Sequence, residues 1–180
     1  MSISRKKIYK ICIVGDGGVG KTTILYQYVD GKFIENTQMT IGINFFVKDI
    51  FLKEFNTKII LQIWDLGGQE HFKSVRPSFY EGAVGIIYTY DLTRINTFTD
   101  LIEWKKEIDR VLNGKTPSIL IGNKLDLIDS ENRRIFPKDI QKLRKLIGFS
   151  NYFETSAKEN VGINKLFNKI TKDIYKVLNN

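Results

Sequence analysis

Short apolar runs alternate along this chain with stretches whose apolar residues recur at helical spacing. Ile8-Tyr9-Lys10-Ile11-Cys12-Ile13-Val14 reads as a strand, and Thr23-Ile24-Leu25-Tyr26-Gln27-Tyr28-Val29 as the start of a helix. Ile43 to Lys53 and Lys58 to Asp65 flank a short turn at Glu54-Phe55-Asn56-Thr57, which predicts a hairpin. Ala83 to Tyr90 and Ser118 to Gly122 are continuous buried strands, and Tyr152-Phe153-Glu154 is a short last one. Phe98, Leu101, Ile108, Val111 and Leu112 share one helical face. Ile163, Leu166, Phe167, Ile170, Ile174, Val177 and Leu178 share that of a closing helix. Pro137 suits the first position of a helix through Ile147, which Gly148 can end.

This order predicts an α/β fold: a mixed six-stranded sheet with one antiparallel edge pair, flanked by about five helices. No repeat, low-complexity stretch or long linker interrupts it, so residues 1–180 form a single domain. Ligands of such sheets sit beyond the carboxyl ends of the parallel strands.

Hydrophobic residues at 42% and charged residues at 27% give an ordinary globular balance. No apolar run reaches membrane-spanning length, no signal peptide opens the chain, and Met-Ser at the start gives no myristoylation signal. The lone Cys12 lies in an apolar strand, where a buried, inert thiol and a reducing cytoplasmic setting are expected. The net charge of +8 raises nucleic acid or an anionic membrane as partners. Its densest groups are Arg5-Lys6-Lys7 and Lys138 to Lys145; the rest is scattered over polar helix faces, and no nucleic-acid module accompanies it.

The chemistry gathers where the strands end. Gly15-Asp16-Gly17-Gly18-Val19-Gly20-Lys21-Thr22 fits G-x-x-x-x-G-K-[ST], with the strand before it and the helix after it that this loop requires. Its glycines let the backbone wrap a phosphate chain with N–H groups pointing inward; Lys21 reaches the β/γ-phosphates and the Thr22 hydroxyl can hold Mg²⁺. Asp65-Leu66-Gly67-Gly68-Gln69-Glu70 follows the third strand, Asn123-Lys124-Leu125-Asp126 the fifth, and Thr155-Ser156-Ala157-Lys158 the sixth. Guanine presents N1–H and N2–H₂ as neighbouring donors, and Asp126 is placed to accept both.

With these strings in this order, the chain resembles the Ras superfamily of small GTPases, and within it the Rab-like branch, over about Lys7 to Lys176. Thr40-Ile41-Gly42-Ile43-Asn44-Phe45, Gln62-Ile63-Trp64-Asp65, Gly68-Gln69-Glu70-His71-Phe72 and Tyr80-Glu81-Gly82-Ala83 carry the branch likeness. The resemblance implies a Ras-like G domain that binds GTP and GDP with Mg²⁺ and hydrolyses GTP. Gly15 to Thr23, Phe33, Thr40, Gly68, Asn123, Lys124, Asp126, Leu127, Ser156, Ala157 and Lys158 would meet the nucleotide. Asn123 would tie its loop to the P-loop, the Lys124 stem would cover the base, and Phe33 would stack on its other face. The Ala157 N–H would meet guanine O6, with Ser156 and Lys158 supporting that loop. Thr22 and Thr40 would ligate Mg²⁺, and Asp65 would hold it through water. Gln69 would orient the attacking water and the Gly68 N–H would sense the γ-phosphate, with Lys21 and Thr40 completing the catalytic set. A side chain at Gly17 would obstruct that geometry. No arginine lies between Phe33 and Thr40 to act as a finger in cis, so unassisted turnover is expected to be slow, about 10⁻⁴ to 10⁻³ per second, the range of Ras itself.

The same resemblance places effectors, an exchange factor and a GTPase-activating protein on residues 33–46 and 64–80 of a monomer, in vesicle or membrane traffic. His71 is either a catalytic base or an exposed residue of the second switch segment. Trp64 and Phe45 are either effector contacts or half-buried sheet aromatics. Leu66-Gly67 departs from the Rab pattern toward the Arf branch, and its doubled glycine is expected to loosen the second switch. Thr37 stands where relatives place an aromatic lid residue. The chain ends Val177-Leu178-Asn179-Asn180 without the cysteines on which Rabs are prenylated. Either a lipidated tail lies outside this sequence, making the protein peripheral on a membrane, or its charge alone gives weak, salt-sensitive membrane attraction. Three rivals stand beside this reading: a P-loop ATPase or small-molecule kinase, a nucleotide-binding interaction module with little turnover, and an RNA- or ribosome-associated GTPase.

Overall fold

The central strand of the sheet, β1 (Lys6–Val14), alternates its side chains between two cores. Ile11 and Ile13 enter one, Cys12 and Val14 the other. The computed structural model describes residues 6–35, 39–112, 114 and 116–179; Arg5, Thr37 and the chain end at Asn180 lie outside them. The elements are β1, α1 (Lys21–Asp30), β2 (Ile43–Leu52), β3 (Thr57–Leu66), α2 (Pro77–Tyr80), β4 (Gly85–Asp91), α3 (Ile95–Thr99), α4 (Leu101–Asp109), β5 (Ser118–Asn123), α5 (Pro137–Ile147), β6 (Asn151–Glu154) and α6 (Ile163–Asn179). The strands lie in the order β2-β3-β1-β4-β5-β6. Only β2 runs antiparallel to its neighbour, pairing Phe45 with Trp64 and Leu52 with Thr57. The expected sheet, edge hairpin and helix complement are therefore present, with α3 and α4 following each other across Asp100.

One core packs α1 (Ile24, Leu25, Tyr28) and α6 (Leu166, Phe167, Ile170, Ile174) on the sheet. The other packs α4 (Leu101, Trp104, Ile108) and α5 (Ile140, Leu143, Ile147) on the opposite face. All seven residues of β4 are buried, which explains its unbroken apolar run. Ala83, expected in this strand, precedes it: its N–H is spent in the turn closing α2, on the Tyr80 carbonyl at 2.9 Å, and the Val84 N–H is the first to reach β1, at the Lys10 carbonyl, also at 2.9 Å. Helix α5 spans the expected residues: the Phe136 N–H donates to the Asp139 carboxylate at 3.0 Å, and Gly148 ends the helix at φ 75°. The closing helix spans every residue expected of it and leaves its last turn in solvent. Val177 and Leu178 are more than half exposed, since α6 buries nothing past Ile174. No described helix is long and apolar enough to cross a membrane.

Strands β3 and β4 leave β1 on opposite sides, so the chain's crossovers diverge there. The crevice this opens lies at the carboxyl ends of the parallel strands.

Candidate functional site

Between β1 and α1 the chain must turn within six residues, close to the backbone of two other elements. A Cβ at Gly15 would stand 2.0 Å from the Thr89 carbonyl oxygen of β4, and Gly15 itself sits at φ 135°. Gly20 precedes α1 in the left-handed region, with no side chain capping the helix and no acidic residue in its first turn. The start of this ten-residue helix lines the crevice with no capping side chain from Gly20, an arrangement suited to an anion.

The crevice is a cavity of about 370 Å³. Gly17, Gly18, Gly20, Lys21, Thr22 and Thr23 form one wall, and Asn123, Lys124, Asp126, Leu127, Ala157 and Lys158 form the other. Phe33, Thr40, Gly68 and Gln69 close its mouth, joined by Ile34, Glu35 and Met39, which sequence reasoning did not single out. Gly15, Asp16, Val19, Asp65 and Ser156 lie behind these walls rather than on them. The Asp16 carboxylate is turned away and accepts from Trp104 Nε1 of α4 at 2.8 Å.

Lys21 is buried, and its ammonium donates to the Gly15 and Asp16 carbonyls at 2.6 and 2.9 Å. Among the described residues no carboxylate forms an ion pair with it. Burial pulls its pKa down to about 8, against the nearby Asp65 and Asp16 charges that raise it. A cation held this way is completed by an incoming anion.

The Thr22 hydroxyl lies 2.7 Å from that of Thr40 and donates to Asp65 Oδ2 at 2.5 Å. Asp65 is fully buried, yet its Oδ1 has no hydrogen-bond partner among the described residues. Burial pushes its carboxyl pKa up, opposed by the Lys21 charge and the Thr22 hydroxyl. Two hydroxyls and an unspent carboxylate oxygen beside a phosphate-sized space are a hard-oxygen donor set, which fits Mg²⁺ shared with a phosphate chain. Among the described residues there is no cluster of three or more His, Cys, Asp or Glu able to hold a metal without such help.

At the other end the loops are fastened together. Asn123 Nδ2 donates to the Val19 carbonyl at 3.0 Å, and its Oδ1 accepts from the Thr155 hydroxyl at 3.1 Å. The Ser156 hydroxyl donates to Asp126 Oδ1 at 2.6 Å and accepts the Glu159 N–H at 3.0 Å. Lys124 adopts φ 67° and pairs its Nζ with Asp91 Oδ2 at 2.7 Å. Phe33 is 39% exposed at the mouth, its ring unspent in any core.

One expectation changes. Gly67 does not loosen the second switch segment: its N–H donates to the Gly42 carbonyl at 2.9 Å, and an added Cβ would lie 2.8 Å from that oxygen and 3.1 Å from the Thr40 carbonyl. The doubled glycine serves close approach, since a Cβ on Gly68 would meet the Gly17 nitrogen at 2.4 Å. At Gly17 an added Cβ would, among the described residues, meet the Met39 methyl at 3.1 Å, in the segment leading into Thr40.

His71 is exposed, off the cavity wall, and packs on Phe72 with ring centroids 4.2 Å apart. Trp64 lies between Phe45 (5.2 Å) and Phe79 (5.8 Å), half-buried against the second core, while Phe45 is 49% exposed. Cys12 is fully buried, its thiol pushed up to about 12 by burial. Sequence reasoning also passed over Asp91 and Arg94. Asp91 ends the parallel strand β4 and Arg94 follows it closely, so the strand-end rule that found the other loops reaches them too.

Comparison with known proteins places these loops in a wider set. The Ras family model matches residues 10–176. The chain is 38% identical over 167 residues to Ras-related protein Rab-12 of Homo sapiens, covering 93% of this chain and 67% of that one. It is 36% identical over 181 residues to Ras-related protein Rab7 of Pisum sativum, covering 98% and 86%. It is also 36% identical over 160 residues to GTP-binding protein YPTM1 of Zea mays, covering 89% and 74%.

Proposed function

Because the chain belongs to the Ras family, we propose that it is a guanine-nucleotide switch that binds GTP and GDP with Mg²⁺ and slowly hydrolyses GTP to GDP and phosphate. One observation carries this reading: a single cavity is lined by the buried Lys21 ammonium on one wall and by Asp126, braced by Ser156, on the other. The first is completed by phosphate, the second by the paired donors of guanine.

Asp126 accepts guanine N1–H and N2–H₂, with Ser156 fixing its rotamer and Asn123 holding its loop against the P-loop. The Lys124 stem and Phe33 flank the base, and the Ala157 N–H meets its O6. Lys21 and the N–H groups at the start of α1 neutralise the phosphates. Thr22 and Thr40 would hold Mg²⁺ directly and Asp65 through water. The ion supplies charge neutralisation on the β- and γ-phosphates. Gln69 orients the attacking water, and the Gly68 N–H reads the γ-phosphate. Losing that phosphate releases the segments around Thr40 and Gln69, and partners at residues 33–46 and 64–80 read the change. The Rab names of the relatives support a role in membrane traffic. With no arginine between Phe33 and Thr40 in the sequence, unassisted turnover is slow.

The test is nucleotide content and competition. The purified protein is expected to carry GDP or GTP, to release it faster when EDTA removes Mg²⁺, and to exchange it against GTP but not ATP. Displacement by ATP as readily as by GTP would remove the reading.

A further inference from the structure

Asp91, the last residue of β4, is 1% exposed and joins cations from two loops. Its Oδ2 lies 2.7 Å from Lys124 Nζ and 3.0 Å from Arg94 Nε. Its Oδ1 takes the Thr93 N–H at 2.9 Å and the Thr93 hydroxyl at 2.6 Å. The free arm of the Arg94 fork goes elsewhere: Nη2 donates to the Gly17 carbonyl at 3.0 Å. Arg94 is not on the cavity wall, whereas Gly17 and Gly18 are.

A trans peptide is planar, with its C=O and N–H antiparallel, and no peptide among the described residues is cis. A guanidinium that holds the Gly17 carbonyl outward therefore aims the Gly18 N–H the opposite way, into the cavity. Both residues of this peptide are glycines, so little steric resistance opposes its turning over. The fork supplies what the sequence of the loop lacks. It also places positive charge on the carbonyl side, which strengthens the opposite N–H as a donor.

The geometry points to Arg94 as a positioning residue for GTP hydrolysis: it fixes the Gly17–Gly18 peptide with its N–H toward the phosphate chain, and through Asp91 ties that peptide to the Asp126 loop. The inference rests on the reading of the cavity as a GTP site. In phosphoryl transfer negative charge builds on the leaving oxygen between the β- and γ-phosphorus atoms. A preset donor beside the chain therefore acts more on the transition state than on bound nucleotide.

Arg94→Ala and Arg94→Lys in the full chain test it, with single-turnover GTP hydrolysis, GDP and GTP-analogue affinities, and phosphorus-31 spectra of the bound analogue. Arg94→Ala is expected to slow hydrolysis about tenfold. GDP affinity should change far less, and the β-phosphate resonance should move while the α-phosphate resonance stays. Arg94→Lys should not restore the rate, because an ammonium cannot span Asp91 and Gly17 as a fork does. Unchanged hydrolysis, full rescue by lysine, or equal loss of GTP and GDP affinity would each overturn the assignment. Should Arg94→Ala not fold, Arg94→Lys alone carries the comparison. A parent that fails to bind GTP sinks the functional reading and this inference with it; a parent that turns over alongside an unaffected Arg94→Ala sinks only the latter.

Discussion

Arg76 and Glu107 meet as a two-pronged ion pair, Nε to Oε1 at 2.8 Å and Nη2 to Oε2 at 2.7 Å, and both side chains are almost wholly buried. Arg76 lies just before α2 and Glu107 on α4, so the pair fastens the second switch segment to a rigid helix. The remaining arm of Arg76 donates to the Gly67 and Gln69 carbonyls at 3.4 and 3.1 Å. The Tyr80 hydroxyl donates to Glu107 Oε1 at 2.6 Å, and Trp104 stacks beneath the guanidinium at 4.1 Å. Position-giving and stability are thus joined at one buried carboxylate.

Glu107→Gln keeps the shape and removes the charge, leaving Arg76 buried without its counter-ion. Breaking a buried pair from one side costs about 3–5 kcal/mol. Urea unfolding is expected to show a loss of that size, and a loss near zero would mean that the pair adds nothing to the fold. Single-turnover hydrolysis should fall as well, because the guanidinium that anchors the Gln69 backbone loses the charge that holds it in place.

The same carboxylate sets an acid limit. Burial alone would raise the Glu107 pKa, but the hydrogen bonds from Arg76 and Tyr80 and the Arg76 charge outweigh it and hold it below the usual glutamate range. Glu154 is lowered too, chiefly by hydrogen bonding to Arg133, with burial opposing. A carboxylate lowered on folding contributes stability above its unfolded pKa, about 4.3, and loses it as pH falls through the folded value. The stability gap between the parent and Glu107→Gln should therefore be constant from neutral pH to about 5 and close below 4. A gap that widened on acidification would contradict the sign.

Gly67→Ala and Gly17→Ala should separate cleanly. At Gly67 the new Cβ presses on two backbone carbonyls, those of Gly42 and Thr40, which cannot move without opening the end of the hairpin. A cost of about 1–3 kcal/mol is expected, the usual range for overpacking. At Gly17 the Cβ meets only the flexible end of Met39, and melting should shift little. Equal shifts would mean that Gly67 is not a close-approach position.

How much of this could be read from the chain alone depends on the kind of interaction. The buried run expected at Ala83 to Tyr90 and found at Gly85–Asp91, and the Pro137 and Gly148 boundaries, were legible, because they follow from backbone chemistry and burial that local sequence encodes. The strand-end loops were legible because their residue types form short motifs at the carboxyl ends of the strands. Val177 and Leu178 belong to the closing helix as expected, but their exposure was not legible, since helical spacing marks a face and not where the sheet beneath it stops. Glu107 carries no local sign of its partner 31 residues earlier. Gly67 misled for a related reason: a glycine reads as freedom until the carbonyl packed against it is seen.

Base choice gives the last expectation. Asp126 offers two acceptors, one of them held by the Ser156 hydroxyl at 2.6 Å. In Asp126→Asn that hydroxyl still donates to the side-chain oxygen, so the amide nitrogen takes the place of the other carboxylate oxygen. The site then pairs an acceptor with a donor. Guanine, with two donors, leaves its amino group facing an N–H, whereas xanthine presents a carbonyl at that position and matches. A site that loses its match to a buried polar group discriminates by roughly 10⁴-fold. Competition binding is expected to show GTP affinity falling on that scale while xanthosine triphosphate gains. If both nucleotides changed together, Asp126 would be supporting its loop rather than reading the base.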